Sequence, residues 1–273
     1  MSTGRFPPTS YIQAGDKTMI HAGEKKSFEI ISHKENNGVT PLVTVIVSLF
    51  NYKKYIADCL DSVKSQTISK LNLVVVDDCS TDQSLEKTRK WLSENGSRFD
   101  EYILAKHNIN SGLAHTRNTA VSLATTKYVF ILDADNLLYP RCLESLIEAL
   151  ENCEASFAYS YLEEFGDGNR LKNIKTWNPD TLAAVNTIDA MVLLRKVVWE
   201  KVNGYSIMPV MGWEDYELWF KIARAKGWGV QVPEVLARYR VHRASMLNIV
   251  TNPNVEKLWI YLKEKYPEYF SNG

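Results

Sequence analysis

Lys127-Tyr-Val-Phe-Ile-Leu-Asp133-Ala-Asp135-Asn136 is an apolar run of strand length that stops abruptly at two carboxylates. A strand buried on both faces is continuously apolar, as strands of a covered parallel sheet are. In open α/β sheets, ligands sit beyond the carboxyl ends of the strands. Acidic side chains at that position can hold a divalent cation through hard oxygen ligands, and the cation can grip a diphosphate. Asp-Ala-Asp-Asn is equally a polar turn by composition, since Asp and Asn commonly end strands. The stretch taken alone leaves both readings open.

The pattern around it settles the fold class as α/β. Val43-Thr-Val-Ile-Val-Ser-Leu49 and Leu71-Asn-Leu-Val-Val-Val76 read as strands, and Tyr52 to Gln66 between them repeats apolar residues at helical spacing. A helix is expected over Thr81 to Asn95, with Gly96 placed to end it. Tyr102-Ile-Leu-Ala105, a helix over 112 to 124, Tyr128 to Leu132, a helix after Pro140 and Ala155 to Tyr161 continue the alternation. Strand and helix alternating in this way predict a mostly parallel sheet flanked by helices.

The second half is less regular. Residues 163 to 180 read as loop, Ala190 to Leu194 as a strand, and Gly204 as the close of a short helix after Val197. Glu214 to Ala225 is a helix stopped by Gly227, Val230 to Val241 is extended, and Val255 to Tyr266 is a terminal amphipathic helix. Residues 1–40 read as a tail or linker with one short strand at Phe28-Glu-Ile-Ile31. One main domain is expected over 41–245, with 246–273 as a C-terminal helix packed on it.

Composition bounds the function. The 273 residues, 45% apolar, can bury a full core. Lys plus Arg number 32 and Asp plus Glu 32, so no global field attracts nucleic acid, and any anionic ligand must be held locally. Four cysteines without metal-site spacing point to reduced thiols and a cytoplasmic setting. The longest apolar runs are strand-length, so no membrane span is expected, and any membrane association would be peripheral, at the inner face.

Other residues carry chemistry. The second strand also ends in acids, Asp77-Asp78, either of which can accept hydrogen bonds from a base N–H or a ribose hydroxyl, while Thr81 or Asp82 suits the cap of the next helix. The first strand ends in Ser48-Leu-Phe-Asn51 without the glycine fingerprint that lets backbone approach a pyrophosphate. Diphosphate charge then needs a metal or an arginine, and Arg117 offers a fixed fork of donors, although surface arginines more often form ion pairs. Asp215 stands at the start of a helix, where the dipole favours acids; it can also act as a general base toward a hydroxyl. His242 can ligate a metal or sit as a satisfied histidine. Among Trp177, Trp199, Trp213, Trp219 and Trp228, Trp213 is the candidate sugar platform.

Taken in order, Val43-Thr-Val-Ile-Val-Ser-Leu-Phe-Asn, Val-Val-Asp77-Asp78-Cys-Ser-Thr-Asp, Asn110-x-x-Gly-x-x-x-x-Arg117-Asn, Leu-Asp133-Ala-Asp135-Asn, Gly204-Tyr, Trp-Glu214-Asp215-Tyr-Glu-Leu-Trp and Tyr-Arg-Val-His242 closely resemble the motifs of the family 2 glycosyltransferases with the GT-A fold. The resemblance covers residues 41 to 245. It implies a Rossmann-like GT-A domain with an irregular C-terminal acceptor-side portion. It also implies inverting transfer of a hexosyl or N-acetylhexosaminyl group from a nucleotide-sugar donor, with UDP the expected carrier and dTDP the second, to a carbohydrate or glycoconjugate acceptor in polysaccharide synthesis. By resemblance, Ser48 and Phe50 line the nucleobase pocket and Asp78 bonds the base edge. Arg117 steadies the nucleotide, Asp133 contacts ribose or sugar, and Glu214 belongs to the donor side. Asp135 and His242 coordinate Mn²⁺ or Mg²⁺, and Asp215 is the catalytic base. Phe50 stands where tyrosine is common, and the stretch after Gly204 departs from the usual Gly-Phe-Asp/Glu form. A sugar-nucleotide nucleotidyltransferase would need a basic loop after the first strand, where only Lys53 and Lys54 occur. A phospho-accepting receiver domain is much shorter, and a non-catalytic sugar-nucleotide-binding module leaves the intact acids unused.

Overall fold

All seven residues of β2 (Val43–Leu49) are buried, and so are the six of β3 (Asn72–Asp77). These strands lie side by side at the centre of the sheet, covered on both faces, which is what their near-continuous apolar sequence requires. The computed structural model describes residues 27–270 apart from 37, 39, 40, 173 and 244. The part of the expected tail before residue 27 lies outside them.

Around this centre the remaining strands are β1 (Phe28–Lys34), β4 (Tyr102–His107), β5 (Tyr128–Asp133), β6 (Leu137–Leu138), β7 (Phe157–Gly166), β8 (Leu193–Arg195) and β9 (Gly229–Val241). The described residues form one nine-stranded sheet in the order β1-β4-β3-β2-β5-β8-β7-β9-β6. Its core, β4-β3-β2-β5, is parallel. Antiparallel pairings then attach β1 at one edge and β8 at the other, with β7 antiparallel to β8 and β9 parallel to β7. The helices are α1 (Ile56–Lys64), α2 (Ser84–Asn95), α3 (Leu113–Leu123), α4 (Cys142–Glu151), α5 (Lys196–Lys201), α6 (Glu214–Arg224) and α7 (Val255–Lys265). Helix α3 packs on β2 and β3, and α4 packs on β7 and β9.

The structure departs from the expected boundaries for identifiable reasons. Tyr52 and Tyr55 stay outside α1 in a turn closed by the Tyr55 N–H to Tyr52 carbonyl bond of 2.9 Å. Gly96 has φ of −63°, and the chain continues into a short 3₁₀ turn over Gly96–Arg98. Its lack of a side chain serves close approach instead, since a Cβ there would lie 2.5 Å from the Tyr102 ring. Strand β7 extends through Glu163–Phe165 to Gly166, taking residues expected in a loop, because β9 pairs with it along its whole length. Pro233, which has no N–H to donate, falls where the register jumps from Val232 to Val235. The strand expected at Phe28 is longer, reaching Lys34, and runs beside β4.

Candidate active site

Strand β2 has β3 on one side and β5 on the other, so the order of strands reverses at the β2–β5 seam. This is the topological switch point at which open α/β sheets bind ligands. The register aligns the strand ends there: Ser48 stands opposite Asp133, and Leu49 opposite Asp77. Ser48 is buried, while Phe50 just beyond it is 41% exposed, leaving its ring free to stack on a planar ligand. Asn51 takes the left-handed conformation, φ 57°, that Asn tolerates better than most residues. Its Oδ1 accepts the N–H groups of Thr81 and Asp82 at 2.8 and 3.2 Å and ties the end of β2 to the approach to α2. Neither Thr81 nor Asp82 is the N-cap of that helix, which is Gln83 without a side-chain cap bond; Asp82, one residue earlier, accepts the Ser84 N–H at 2.8 Å, and Thr81 is held by Asn51.

Asp78 is buried and heavily used by the protein. Its Oδ1 meets His107 Nδ1 at 2.7 Å and accepts the Ser111 N–H at 2.8 Å, while Oδ2 accepts the Gly112 N–H at 2.8 Å. A carboxylate has about four acceptor sites, so Asp78 keeps some acceptor capacity after fastening β3 to the start of α3. His107 itself is buried, with Nε2 at 2.9 Å from Thr119 Oγ1. Nothing in the local sequence marked it, because its partners are 29 and 12 residues away.

The next side chain along α3, Arg117, is buried and donates to Asp133 Oδ1 at 2.8 Å. Burial disfavours its charge, but Asp133, Tyr205, Glu214 and Asp215 around it outweigh that and hold it firmly protonated. The adjacent Asn118 clasps the backbone of Tyr205 with two bonds of 2.8 Å, so that the Tyr205 ring faces the Arg117 guanidinium at 5.5 Å. Gly204 completes this turn with φ 59°, and a Cβ there would strike Asn118 and Trp199 at 2.8 Å. The Asn-x-x-Gly-x-x-x-x-Arg-Asn and Gly-Tyr segments are thereby one structural unit.

Beyond β5, Asp135 is buried, and burial together with Asp133 lifts its carboxyl well above the ordinary carboxylate range, although His242 opposes the rise. His242, just past the end of β9, places Nε2 at 3.1 Å from Asp135 Oδ2. The rings of Tyr52 and Tyr55 flank it at 6.2 and 5.6 Å. Arg240 lies between the rings of Tyr55 and Phe165, 4.3 Å from each, and donates to the Asp135 carbonyl at 2.9 Å. Among the described residues no three His, Cys, Asp or Glu side chains converge closely enough to hold a metal alone. A carboxylate facing an imidazole, beside a second carboxylate, nonetheless suits a divalent cation whose remaining ligands come from substrate oxygens.

The fourth component starts α6. Glu214 turns back, accepting the Gly212 N–H at 2.8 Å, and burial raises its carboxyl. Asp215 is half-buried and pushed up to about 7, first by burial and then by Asp189 and Glu214, against the opposing charge of Arg117. Asn186 donates to its Oδ2 at 3.3 Å. Trp213 packs edge-on against Tyr216 and Trp259 at 5.2 and 4.9 Å, an aromatic cluster at the foot of α6. Arg117 thus lies within electrostatic reach of Asp133, Glu214 and Asp215, which brings the central motifs to one cleft.

Comparison with known proteins agrees with this geometry. Residues 44–213 match the model of the glycosyl transferase family 2. An uncharacterized glycosyltransferase of Haemophilus influenzae is 27% identical over 245 residues, covering 80% of this chain and 72% of that one. A teichoic acid poly(glycerol phosphate) polymerase of Staphylococcus epidermidis is 36% identical over 117 residues, 42% of this chain but 16% of its own length. Among solved structures, S. aureus TarS 1-349 in complex with UDP-GlcNAc superposes with a TM-score of 0.64 at 18% identity, covering 76% of this chain and 60% of that one. The mannosyltransferase PcManGT of Pyrobaculum calidifontis, in complex with GDP-Man and Mn²⁺, gives 0.60 at 23% identity, covering 78% of this chain and 60% of that one. At that identity the structures speak for a shared GT-A fold, and the family match, spanning more than half of the chain, identifies it as a member of the family 2 glycosyltransferases.

Proposed function

We propose that this chain catalyses inverting transfer of a sugar from a nucleoside-diphosphate donor, with UDP as carrier, to an acceptor hydroxyl in polysaccharide or glycoconjugate synthesis. The observation that carries the reading is the carboxyl of Asp215, pushed up to about 7 in the cleft that also holds Arg117 and Asp133. A general base works best with a pKa near the operating pH, which the raised carboxyl of Asp215 approaches more closely than an ordinary aspartate. UDP is favoured as carrier by the TarS complex with UDP-GlcNAc, and a role in polymer synthesis by the teichoic acid polymerase relative. The described cysteines are free, which suits a reducing, cytoplasmic setting. Association with a membrane face would be peripheral, since no helix among the described residues is long and apolar enough to cross one.

In this mechanism the donor lies over the β2–β5 seam. The exposed face of Phe50 stacks on the base, Ser48 lines its pocket, and the remaining acceptor capacity of Asp78 meets a base N–H. Asp133, oriented by Arg117, receives ribose or sugar hydroxyls. Asp135 and His242 would hold Mn²⁺ or Mg²⁺, which when bound offsets negative charge on the diphosphate. Asp215 takes the proton of the acceptor hydroxyl as that oxygen's electron pair bonds to the anomeric carbon. The bond from that carbon to the diphosphate oxygen breaks in the same displacement, and its pair leaves with the nucleoside diphosphate. One displacement inverts configuration and needs no protein nucleophile.

Asp215→Asn removes the proton acceptor without changing shape. Transfer should fall by about 10²–10⁴-fold, with UDP affinity within twofold of the parent by calorimetry. Turnover retained in that variant would overturn the base assignment.

A further inference from the structure

The segment between β7 and β8 carries none of the family's motifs, yet it is bonded repeatedly to the first turns of α6. The Tyr216 hydroxyl donates to the Leu182 carbonyl, and Trp219 Nε1 donates to the Ile188 carbonyl at 3.1 Å. Between those two anchors stands Asn186. Its amide is used at both ends: Oδ1 accepts the Ile188 N–H at 3.3 Å, and Nδ2 donates to Asp215 Oδ2 at 3.3 Å. The segment is braced from the opposite side by Asp189, whose Oδ1 accepts the Met191 N–H at 3.1 Å and whose Oδ2 pairs with Lys172. The Lys172 ammonium in turn sits 3.4 Å from the centre of the Tyr239 ring on β9.

We propose that Asn186 is a positioning residue for Asp215, its amide N–H fixing the rotation of the carboxylate so that an unshared oxygen lone pair meets the acceptor hydroxyl. This rests on the reading of Asp215 as the base. Three features support it. The donor comes from a segment tied to the same helix as the base, so the two move together. An amide donates without adding charge, so it orients the carboxylate while lowering its basicity less than a cation in the same place would. Its own Oδ1 is held by a backbone N–H, so the amide cannot swivel away freely.

The groups facing Asp215 come from every neighbouring element. Glu214 stands beside it on α6, Arg117 on α3 and Tyr205 after α5, while Tyr239 lies on β9 and Asp189 and Asn186 on the segment before β8. Burial and the carboxylates favour the protonated form of Asp215, whereas Arg117 and the Tyr216 backbone N–H favour the ionised form, and the Asn186 amide, donating to Oδ2, acts in the same direction as these two. Loss of the donor therefore raises the midpoint of its titration, and a like charge at position 186 raises it further.

The test is a carboxyl ¹³C titration of the aspartate-labelled protein, with the Asp215 signal assigned by its disappearance in Asp215→Asn. Asn186→Leu keeps the shape and deletes the donor; Asn186→Ser keeps a small polar group if the first variant folds poorly. The Asp215 midpoint should rise by about half a pH unit or more in Asn186→Leu and by about one unit or more in Asn186→Asp. Hydrolysis of sugar nucleotides by water, read as release of the nucleoside diphosphate over a panel of UDP- and GDP-sugars, should slow about tenfold while nucleotide affinity is unchanged. A midpoint in Asn186→Leu equal to that of the parent would overturn the proposal. If Asp215→Asn itself still turns over, the base reading fails; if it is inactive while the Asp215 midpoint in Asn186→Leu stays put, only this inference fails.

Discussion

Asp215, the proposed base, works against stability. Its carboxyl is pushed from 3.8 up to about 7 in the folded chain, chiefly because burial strips water from the charged form. The folded state therefore keeps a proton that the unfolded state has released. Stability from this group is full below about pH 4 and declines as pH rises toward 7, after which both states are ionised. Asp215→Asn removes that decline, so the variant's advantage over the parent should grow between pH 4 and pH 7 and level off above. It is bounded by about 4 kcal/mol, the worth of raising a carboxyl from 3.8 to about 7, and corresponds to several degrees of melting temperature. Melting curves across that range check it, and a difference independent of pH would contradict burial of the carboxyl as its cause. The same carboxyl predicts an acid limb in the pH profile of transfer, with activity rising through about pH 7.

At the scale of elements, the approach to α6 is held by the C-terminal segment. Gly212 has φ of 121°, and a Cβ on it would fall 1.7 Å from Thr251 Oγ1, a contact no side chain can make. Gly212 also donates its N–H to Glu214, so its conformation sets the start of the helix that bears Asp215. Gly212→Ala should cost about 1–3 kcal/mol and lower turnover more than nucleotide affinity, because Ser48, Phe50, Asp78 and Asp133, proposed to hold the nucleotide, lie at or just past the ends of other strands. Urea denaturation beside calorimetry would check both parts. Much of this scale was legible in the sequence. Strands β2, β3 and β5 and the acids ending them stood out because a strand buried on both faces must be apolar until it leaves the core. What escaped depends on distant partners. His107 becomes informative only when Asp78, 29 residues earlier, is beside it, and Asn186 only when Asp215 is. The full length of β7 could not be read from 163 to 166, because β9 holds those residues in the sheet. Gly96 carried a true signal with a different cause, the Tyr102 ring in place of a left-handed turn.

For the molecule as a whole, the sheet changes character where the site is divided. The parallel half, β4-β3-β2-β5, brings Ser48, Asp78 and Asp133 to its carboxyl edge, while the antiparallel and long-paired half carries α6 and β9. The two halves meet in a pair 107 residues apart, His242 with Asp135. Residues 44–213 match the family model, so both Asp215 and His242 lie beyond the matched stretch, and the fold is what returns them to the cleft. With 32 basic and 32 acidic residues there is no overall attraction for a nucleotide. Binding must come from the local set, and so it should be sensitive to single residues in it. The most direct test is calorimetric titration of UDP, beside GDP and dTDP, into the protein and its Asp135→Ala variant, with and without Mn²⁺. Binding that is selective for UDP, strengthened by Mn²⁺ and weakened about tenfold or more in the variant is the expected result. Failure of every nucleoside diphosphate to bind, or binding indifferent to both Mn²⁺ and Asp135, would contradict the assignment of this cleft as a metal-assisted nucleotide-sugar site.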